Sequence, residues 1–538
     1  MTFVDIVVLL SVLVGSLGLS VIFGRYMARM IIFEARPLEK TLGRIEGGFY
    51  KIIGVDKYEQ MTWKQYVLAL VVTNVIAAAF VMAIFLYQNS LPLSPKPGLS
   101  FDLAFMQAAS FITNTDLQHY AGDQQLSIFS QMIALIFVMF VAPASGIAAL
   151  FAFVRGFIRK NFGLGNFYVD FTRIILTLLL PVAFLSALLL LFLGVPQTLD
   201  STITVGTLQG GNQTITIGPV AAQESIKDLG SNGGGFFGAN SAHPFENPTG
   251  ISNVFETILM LVIPLSAPIA YAHLIGKGRG VSILVAMLIG FGIMLILGLT
   301  QISGPSGLET RFGNFGSVLF NEASVATNTG SADSALTGMS PNAVIGLFLG
   351  MFIQAIPGAD GTGMMMMIIF VILTLFLVGL MVGKTPEFLS MKINPRDVRL
   401  AAFVFLIHPA LILIPTVIAY STGDAQSVVG GQVTPMTFTQ VLYEFTSASA
   451  NNGSDYLGTS ANTRFWNWST AFVMLIGRYA PIVLMLAIAG SFTTRDRKEV
   501  VEPIKTSGLL FVGVLSVMVF ILTALTFFPF LAMGPFSI

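Results

Sequence analysis

Ala109-Ser110-Phe111-Ile112-Thr113-Asn114-Thr115-Asp116 returns 214 positions later as Ala323-Ser324-Val325-Ala326-Thr327-Asn328-Thr329-Gly330. The shared pattern A-S-x-x-T-N-T-x is short, and its placement gives it weight. Each copy lies between two long apolar runs. Two further segments of like make-up occupy equivalent places: Gly230-Ser231-Asn232-Gly233-Gly234-Gly235-Phe236 and Ser447-Ala448-Ser449-Ala450-Asn451-Asn452-Gly453-Ser454. Self-similarity at matched places is a primary sign of a repeated architecture. Each segment pairs a short, moderately apolar run with a cluster of Gly, Ser, Thr and Asn. That combination predicts a half-helix ending in a polar turn, four times over.

The surroundings say which medium these turns sit in. The chain has 538 residues, 54% hydrophobic and 10% charged, with a mean hydropathy of +0.81. Soluble domains carry about 25% charged residues because water-facing surface needs charge, so a soluble globular protein and a nucleic-acid binder are both excluded. The 27 basic residues balance the 27 acidic ones, and there is no cysteine, which removes disulfides, thiolate metal sites and a Cys nucleophile. Four histidines, none paired at helical spacing, argue against zinc or haem. A membrane span needs about 20 mostly apolar residues, and ten stretches qualify: 4–24, 66–88, 128–154, 172–194, 251–275, 281–301, 342–383, 398–420, 466–490 and 508–530. The first has no cleavage signature and reads as a retained helix. The seventh is too long to be straight and holds Pro357-Gly358-Ala359-Asp360-Gly361-Thr362-Gly363. Broken backbone at membrane depth persists only where protein or a wet cavity surrounds it.

The predicted fold is therefore an all-α polytopic membrane protein. Four span–half-helix–span repeats surround one axis, with an extra helix at each end. Residues 1–60 are the extra first helix and a basic cytoplasmic segment; 61–155, 172–275, 281–383 and 398–490 are the repeats; 508–538 is the extra last helix. Lys and Arg set the orientation. The connection 25–64 holds eight of them and the next four on that side hold four, two, four and four, which makes 22 of 27; the opposite side holds Lys96, Lys227, Arg311 and Arg464. The crowded side is cytoplasmic, so both termini are expected outside, in the plasma or inner membrane. The outer side is acidic, and a negative vestibule concentrates cations.

Four Gly-containing turns around an axis have a specific chemical use. Glycine permits positive φ, so successive carbonyls can turn one way. A ring of carbonyl oxygens replaces the water shell of a bare monovalent cation, whereas Mg2+ or Ca2+ would call for carboxylates. Asp116, Asp333 and Asp455 follow three turns by one to three residues, and the expectation is that they attract cations from outside the ring. The plain alternative is four surface turns.

Asp228-Leu-Gly-Ser-Asn-Gly-Gly-Gly-Phe-Phe-Gly-Ala-Asn-Ser-Ala-His-Pro-Phe-Glu-Asn-Pro-Thr249 resembles the second pore loop of the potassium-binding A subunits of the Kdp potassium-transporting ATPases (KdpA), within the superfamily of K+ transporters. Met61-Thr-Trp-Lys-Gln-Tyr66, Gly383-Lys-Thr-Pro-Glu-Phe-Leu389 and Ala450-Asn-Asn-Gly-Ser454 resemble the same family. The likeness runs from about Met61 to the C-terminus. It implies a K+-selective subunit of a high-affinity, ATP-driven uptake complex that binds extracellular K+ and passes it to a P-type ATPase subunit (KdpB-like). A single-span subunit (KdpC-like) and a small membrane peptide (KdpF-like) would complete the complex. It implies filter positions at Thr113, Asn114 and Thr115; Ser231, Asn232 and Gly233; Asn328, Thr329 and Gly330; and Asn451, Asn452 and Gly453. Gln118 takes the family's polar position beside the first turn, and Lys384 and Arg478 its charged positions near the inner end of the pore. Three departures stand out. Ser231 replaces a common Thr. Lys384 replaces a common Arg, without that residue's planar fork. Phe352-Ile353-Gln354-Ala355-Ile356-Pro357 lacks an acid often found there, leaving Gln354 or Asp360 to take its role.

Nothing in the chain reads as an energy source. Gly379-Leu-Met-Val-Gly383-Lys384-Thr385 is one residue short of a phosphate-binding loop and follows a span rather than a strand. The chain is therefore expected not to be an enzyme by itself, with K+ as its ion, no nucleotide site, and ATP hydrolysed on a partner. One rival is a Trk- or Ktr-type K+-translocating subunit gated by a soluble nucleotide-binding partner. A membrane-embedded transferase is the other, and no convergent catalytic cluster supports it.

Overall fold

The computed structural model describes residues 2–33, 39–158, 163–303, 308–432, 434–496 and 504–531. Arg36, Arg159, Lys160, Arg497 and Lys498, which were counted on the cytoplasmic side, lie outside the described residues. Among those described, ten helices are long and apolar enough to cross a membrane: Phe3–Ile31, Trp63–Ser90, Ser130–Ile158, Phe167–Phe192, Gly250–Ile275, Lys277–Ile302, Thr362–Met381, Pro395–Thr422, Arg464–Phe492 and Leu509–Phe527. All ten expected stretches are found, most of them with longer ends. At two of them a polar cap that hydropathy alone does not register sets the start. Thr62 with Gln65, and Thr249 with Ser252, close reciprocal capping boxes one turn before the apolar sequence begins.

Four shorter helices fill the predicted places between spans: Phe101–Ile112, Val220–Leu229, Gly313–Ala326 and Pro435–Ala450. At 1.5 Å per residue they reach roughly 15–24 Å, about half to three-quarters of a hydrocarbon core. They are enclosed by protein; in Val220–Leu229 every residue but Ala222 is buried. The third, fifth, seventh and ninth spans, which follow these half-helices, are each more than half enclosed, and the other six less than half. Each repeat thus contributes one outer span, one half-helix and one inner span.

The seventh stretch is broken as expected. Pro341–Ile353 ends at Gln354, whose φ of 54° is left-handed, and Thr362–Met381 resumes after Gly361 at φ 78°. The break packs against the ring of half-helices: the Gly358 N–H donates to the Ala326 carbonyl at 2.8 Å and so satisfies the end of the third half-helix. Met364 to Met367 are buried packing. The extra first helix lies along the fifth span, where Ser20 Oγ donates to the Val262 carbonyl at 2.9 Å. Gly24 lets them close, since a Cβ there would stand 2.7 Å from Ile269 and 2.9 Å from the Ser266 carbonyl. Apolar length alone reveals neither the amphipathic helix Glu39–Ile53 nor the outer hairpin pairing Thr202–Gly206 with Asn212–Thr216. Nor does it reveal the wide π-helical turns at Ser130–Ile136 and Ile174–Leu179.

Candidate ion-binding site

The four half-helices end alike. After each comes a residue in the left-handed region: Asn114 (φ 61°), Ser231 (48°), Asn328 (52°) and Asn451 (55°). The next N–H, of Thr115, Asn232, Thr329 or Asn452, folds back to the carbonyl of Ser110, Lys227, Ser324 or Ser447 at 3.0, 2.9, 2.8 and 2.9 Å. This is a left-handed helix stop with a 6→1 bond, repeated four times. The residue after that is left-handed again: Asp116 (54°), Gly233 (80°), Gly330 (74°) and Gly453 (97°). Two left-handed residues around one ordinary residue reverse the chain and project the middle carbonyl sideways.

Those carbonyls meet the next turn. A Cβ on Gly233 would overlap the Thr329 carbonyl oxygen, one on Gly330 the Asn452 oxygen, and one on Gly453 the Thr115 oxygen. The remaining junction is closed by Asn114, whose Nδ2 donates to the Ser231 carbonyl and, at 3.1 Å, to that of Gly230. Asn451 Nδ2 ties the fourth turn to Thr115 Oγ1 at 2.9 Å. The turns therefore stand in order one to four around a ring. The twelve residues for which the family resemblance implies a filter role all lie in these four turns.

The repeated sequence has a local reason. Thr113 Oγ1 donates back to the Ala109 carbonyl at 2.8 Å and lies 2.8 Å from Thr115 Oγ1; Thr327 does the same with Ala323 at 2.9 Å and Thr329 at 2.8 Å. A second regularity was not read from the sequence. Seven residues before each left-handed residue stands a buried polar side chain: Gln107, Glu224, Asn321 and Glu444. Each reaches chain beyond a turn. Gln107, with its amide oriented to suit its neighbours, donates to the Leu117 carbonyl at 3.2 Å and accepts from His119 N–H at 3.1 Å. Glu224 accepts from Ser241 Oγ at 2.7 Å, Asn321 donates to Asp333 at 2.8 Å, and Glu444 lies 3.2 Å from His119 Nε2. Aligning the four segments on their turns would have exposed this column.

Above the ring opens a cavity of about 300 Å³ lined from all four loops, including Asp116, Gln118, Asn240, Ser334 and Asp455. Gln118 accepts from Gly235 N–H at 2.9 Å and donates to the Gly235 carbonyl at 3.1 Å, clamping the second loop to the first. Two expectations for the acids need correction. Asp116 is not outside the ring; it holds the left-handed position that is glycine in the other three turns, fully buried. Asp333 is fully buried and held by Asn321, and burial pushes its carboxyl up to about 7. Asp455 is the partly exposed one.

On the inner side, Asp360 in the break of the seventh stretch accepts from Ser231 Oγ at 3.2 Å. Arg478 is buried, with Nη2 donating to the Ala142 carbonyl at 3.4 Å. A Cβ on Gly146 would touch both the Arg478 guanidinium at 2.7 Å and the Asp360 carbonyl at 2.8 Å, so the two residues share one wall. Arg478 thus faces inward rather than reaching for a helix end, and with Gln354, Asn451 and His408 it lines a small cavity below the fourth turn. His408 is hydrogen-bonded to Ser449, as a structural histidine should be. Lys384 does not join them. It is exposed past the far end of Thr362–Met381, a helix about 30 Å long. Of the two candidates for the missing acid, Asp360 touches a ring residue. A closed ring of turns whose neutral carbonyls pack against one another's glycines, with buried carboxylates at either side, suits a dehydrated monovalent cation.

The family described as Potassium-transporting ATPase A subunit (KdpA) matches residues 8–537. A curated relative, the Potassium-transporting ATPase potassium-binding subunit of Caldanaerobacter subterraneus subsp. tengcongensis, is 41% identical, over 96% of this chain and 95% of its own length. Among solved structures, the potassium transporter TrkH from Vibrio parahaemolyticus aligns with a TM-score of 0.56 over 91% of this chain and all of its own, at 15% identity. That likeness is one of fold.

Proposed function

The chain belongs to the family of potassium-transporting ATPase A subunits, and from that premise we propose how it works. It is the K+-binding, K+-selective subunit of an ATP-driven uptake complex, a multi-pass protein with both termini outside. K+ gathers in the outer cavity, exchanges water for the carbonyls of the four turns, and passes by Asp360 and Arg478 toward a P-type ATPase partner. That KdpB-like subunit hydrolyses ATP; KdpC-like and KdpF-like subunits complete the assembly. One observation carries the reading: glycines from three separate loops each lie where a side chain would strike the carbonyl of the next loop. Such closeness has no use in ordinary surface turns.

The test is a co-purification. The isolated chain is expected to hydrolyse no ATP. Expressed with its genomic neighbours, it should yield a complex whose ATPase rises with micromolar K+. ATP hydrolysis by the isolated chain would contradict the proposal. Capture of a soluble nucleotide-binding partner in place of a P-type ATPase would favour the Trk-type reading.

A further inference from the structure

Behind the second turn lies a cluster of charges that K+ passage does not use. Glu224 and Asp228 stand four residues apart on the second half-helix and so share one face. Glu256 reaches them from the second turn of the fifth span. All three are at most 1% exposed. One carboxylate oxygen from each lies within 4.8 Å of the other two.

Lys227 neutralises only part of this group, through Glu224. Its ammonium, with three N–H donors, already faces Glu224 at 2.8 Å, Glu246 at 2.8 Å, Asn240 at 2.9 Å and Ser241 at 2.6 Å. Four carboxylates therefore share one cation. Glu256 is the clearest orphan: it is fully buried, and neither of its oxygens has a hydrogen-bond partner. One of its oxygens lies within 4.8 Å of an oxygen of each of the other two acids. Leaving a buried carboxylate uncompensated is strongly unfavourable, and three at this spacing repel one another as well.

We propose that Glu224, Asp228 and Glu256 hold a divalent cation of the calcium type behind the second turn, separate from the transported ion. Ca2+ binds carboxylate oxygens at about 2.3–2.6 Å in irregular geometry, so ligand atoms up to about 5 Å apart suit it. Mg2+ demands a tighter octahedron and retains water, and this site is closed by packed helices. K+ prefers neutral oxygens and would leave more of the acidic charge uncompensated. The bound cation joins the half-helix to the fifth span two residues before Gly230, and so fixes where the second turn begins. Its existence does not depend on the K+ reading.

The probe is Ca2+ alone, added to the purified complex after EGTA treatment and desalting into constant ionic strength. The expected result is about one tightly held Ca2+ per chain by elemental analysis, with a saturable rise in melting temperature that added K+ does not reproduce. Glu256→Gln, nearly isosteric, should weaken Ca2+ binding at least tenfold. Asp228→Asn should act alike and stands in if Glu256→Gln does not fold. Absence of retained Ca2+ together with no thermal response at 1 mM would overturn the proposal. So would Ca2+ binding unchanged in both variants. A complex made more stable by Glu256→Gln without Ca2+, and indifferent to Ca2+, would show that the acids carry protons instead.

Discussion

Asp116 is the residue at which the ring departs from its own pattern. Three turns use glycine at their second left-handed position; the first uses an aspartate, a residue type that tolerates this conformation better than most. Its carboxylate is buried in the ring wall, and neither oxygen has a hydrogen-bond partner. A unit charge roughly 8 Å from an ion, at an effective dielectric near 20, is worth about 2 kcal/mol, or roughly thirtyfold in affinity. Asp116→Asn should therefore weaken apparent K+ affinity on the order of tenfold to thirtyfold, in K+-stimulated ATPase. The loss should persist at 0.15 M salt, because screening over about 8 Å acts on exposed charges and not on buried ones. A loss that vanishes with salt would return Asp116 to the role of a distant attractor. Arg478 is the inner counterpart, within electrostatic reach of Asp116 and Asp360. Its only hydrogen bond among the described residues is a long one to a carbonyl, so charge rather than fork geometry is its asset. Arg478→Gln should uncouple ATP use from uptake, and Arg478→Lys should restore part of the coupling. Equal coupling in both, with only lower expression, would make it a packing residue.

At the scale of elements, most of the plan was legible in the sequence. Ten spans and four half-helices follow from apolar length and from Gly/Asn/Thr clusters, and the break at Pro357–Gly363 announces itself. The handedness inside the turns was not legible, because five of the eight left-handed positions are Asn, Ser and Asp rather than Gly. Lys384 could not be placed from spacing, since where a helix ends relative to a ring depends on the tilt and depth of the whole span. Asp333 looked like a surface acid because nothing in a sequence shows that Asn321, twelve residues earlier, will hold it. The helix Glu39–Ile53 was hidden by its charges, which marked the segment as cytoplasmic and masked its apolar stripe. The loops also support one another. Gln118 makes two hydrogen bonds to the backbone of Gly235, each worth about 1 kcal/mol. Gln118→Ala should leave assembly intact by size-exclusion chromatography and weaken K+ stimulation by roughly three- to thirtyfold, as the second turn loses its tie to the first. Wild-type affinity in this variant would mean that the clamp is redundant.

For the whole molecule, the repeat makes a site that no single repeat contains. Four inner spans enclose four half-helices, and only their convergence brings the separate turns into contact around one ring. If the site is shared, glycines far apart in sequence must behave as one. Gly233, Gly330 and Gly453 belong to three different repeats, and each faces a carbonyl of another loop. An alanine at any of them combines a left-handed backbone, which costs a non-glycine residue about 1 kcal/mol or more, with a direct clash against that carbonyl. The decisive measurement is ATPase stimulation of the purified complex by K+, Rb+, NH4+ and Na+ for Gly233→Ala, Gly330→Ala and Gly453→Ala. All three should assemble, lose K+ affinity by at least tenfold, and accept the competing ions more readily, with Gly233→Asp the most severe in the series. If any one of the three keeps wild-type K+ affinity and ion preference, its turn is not part of a common ring, and the four-turn site is contradicted.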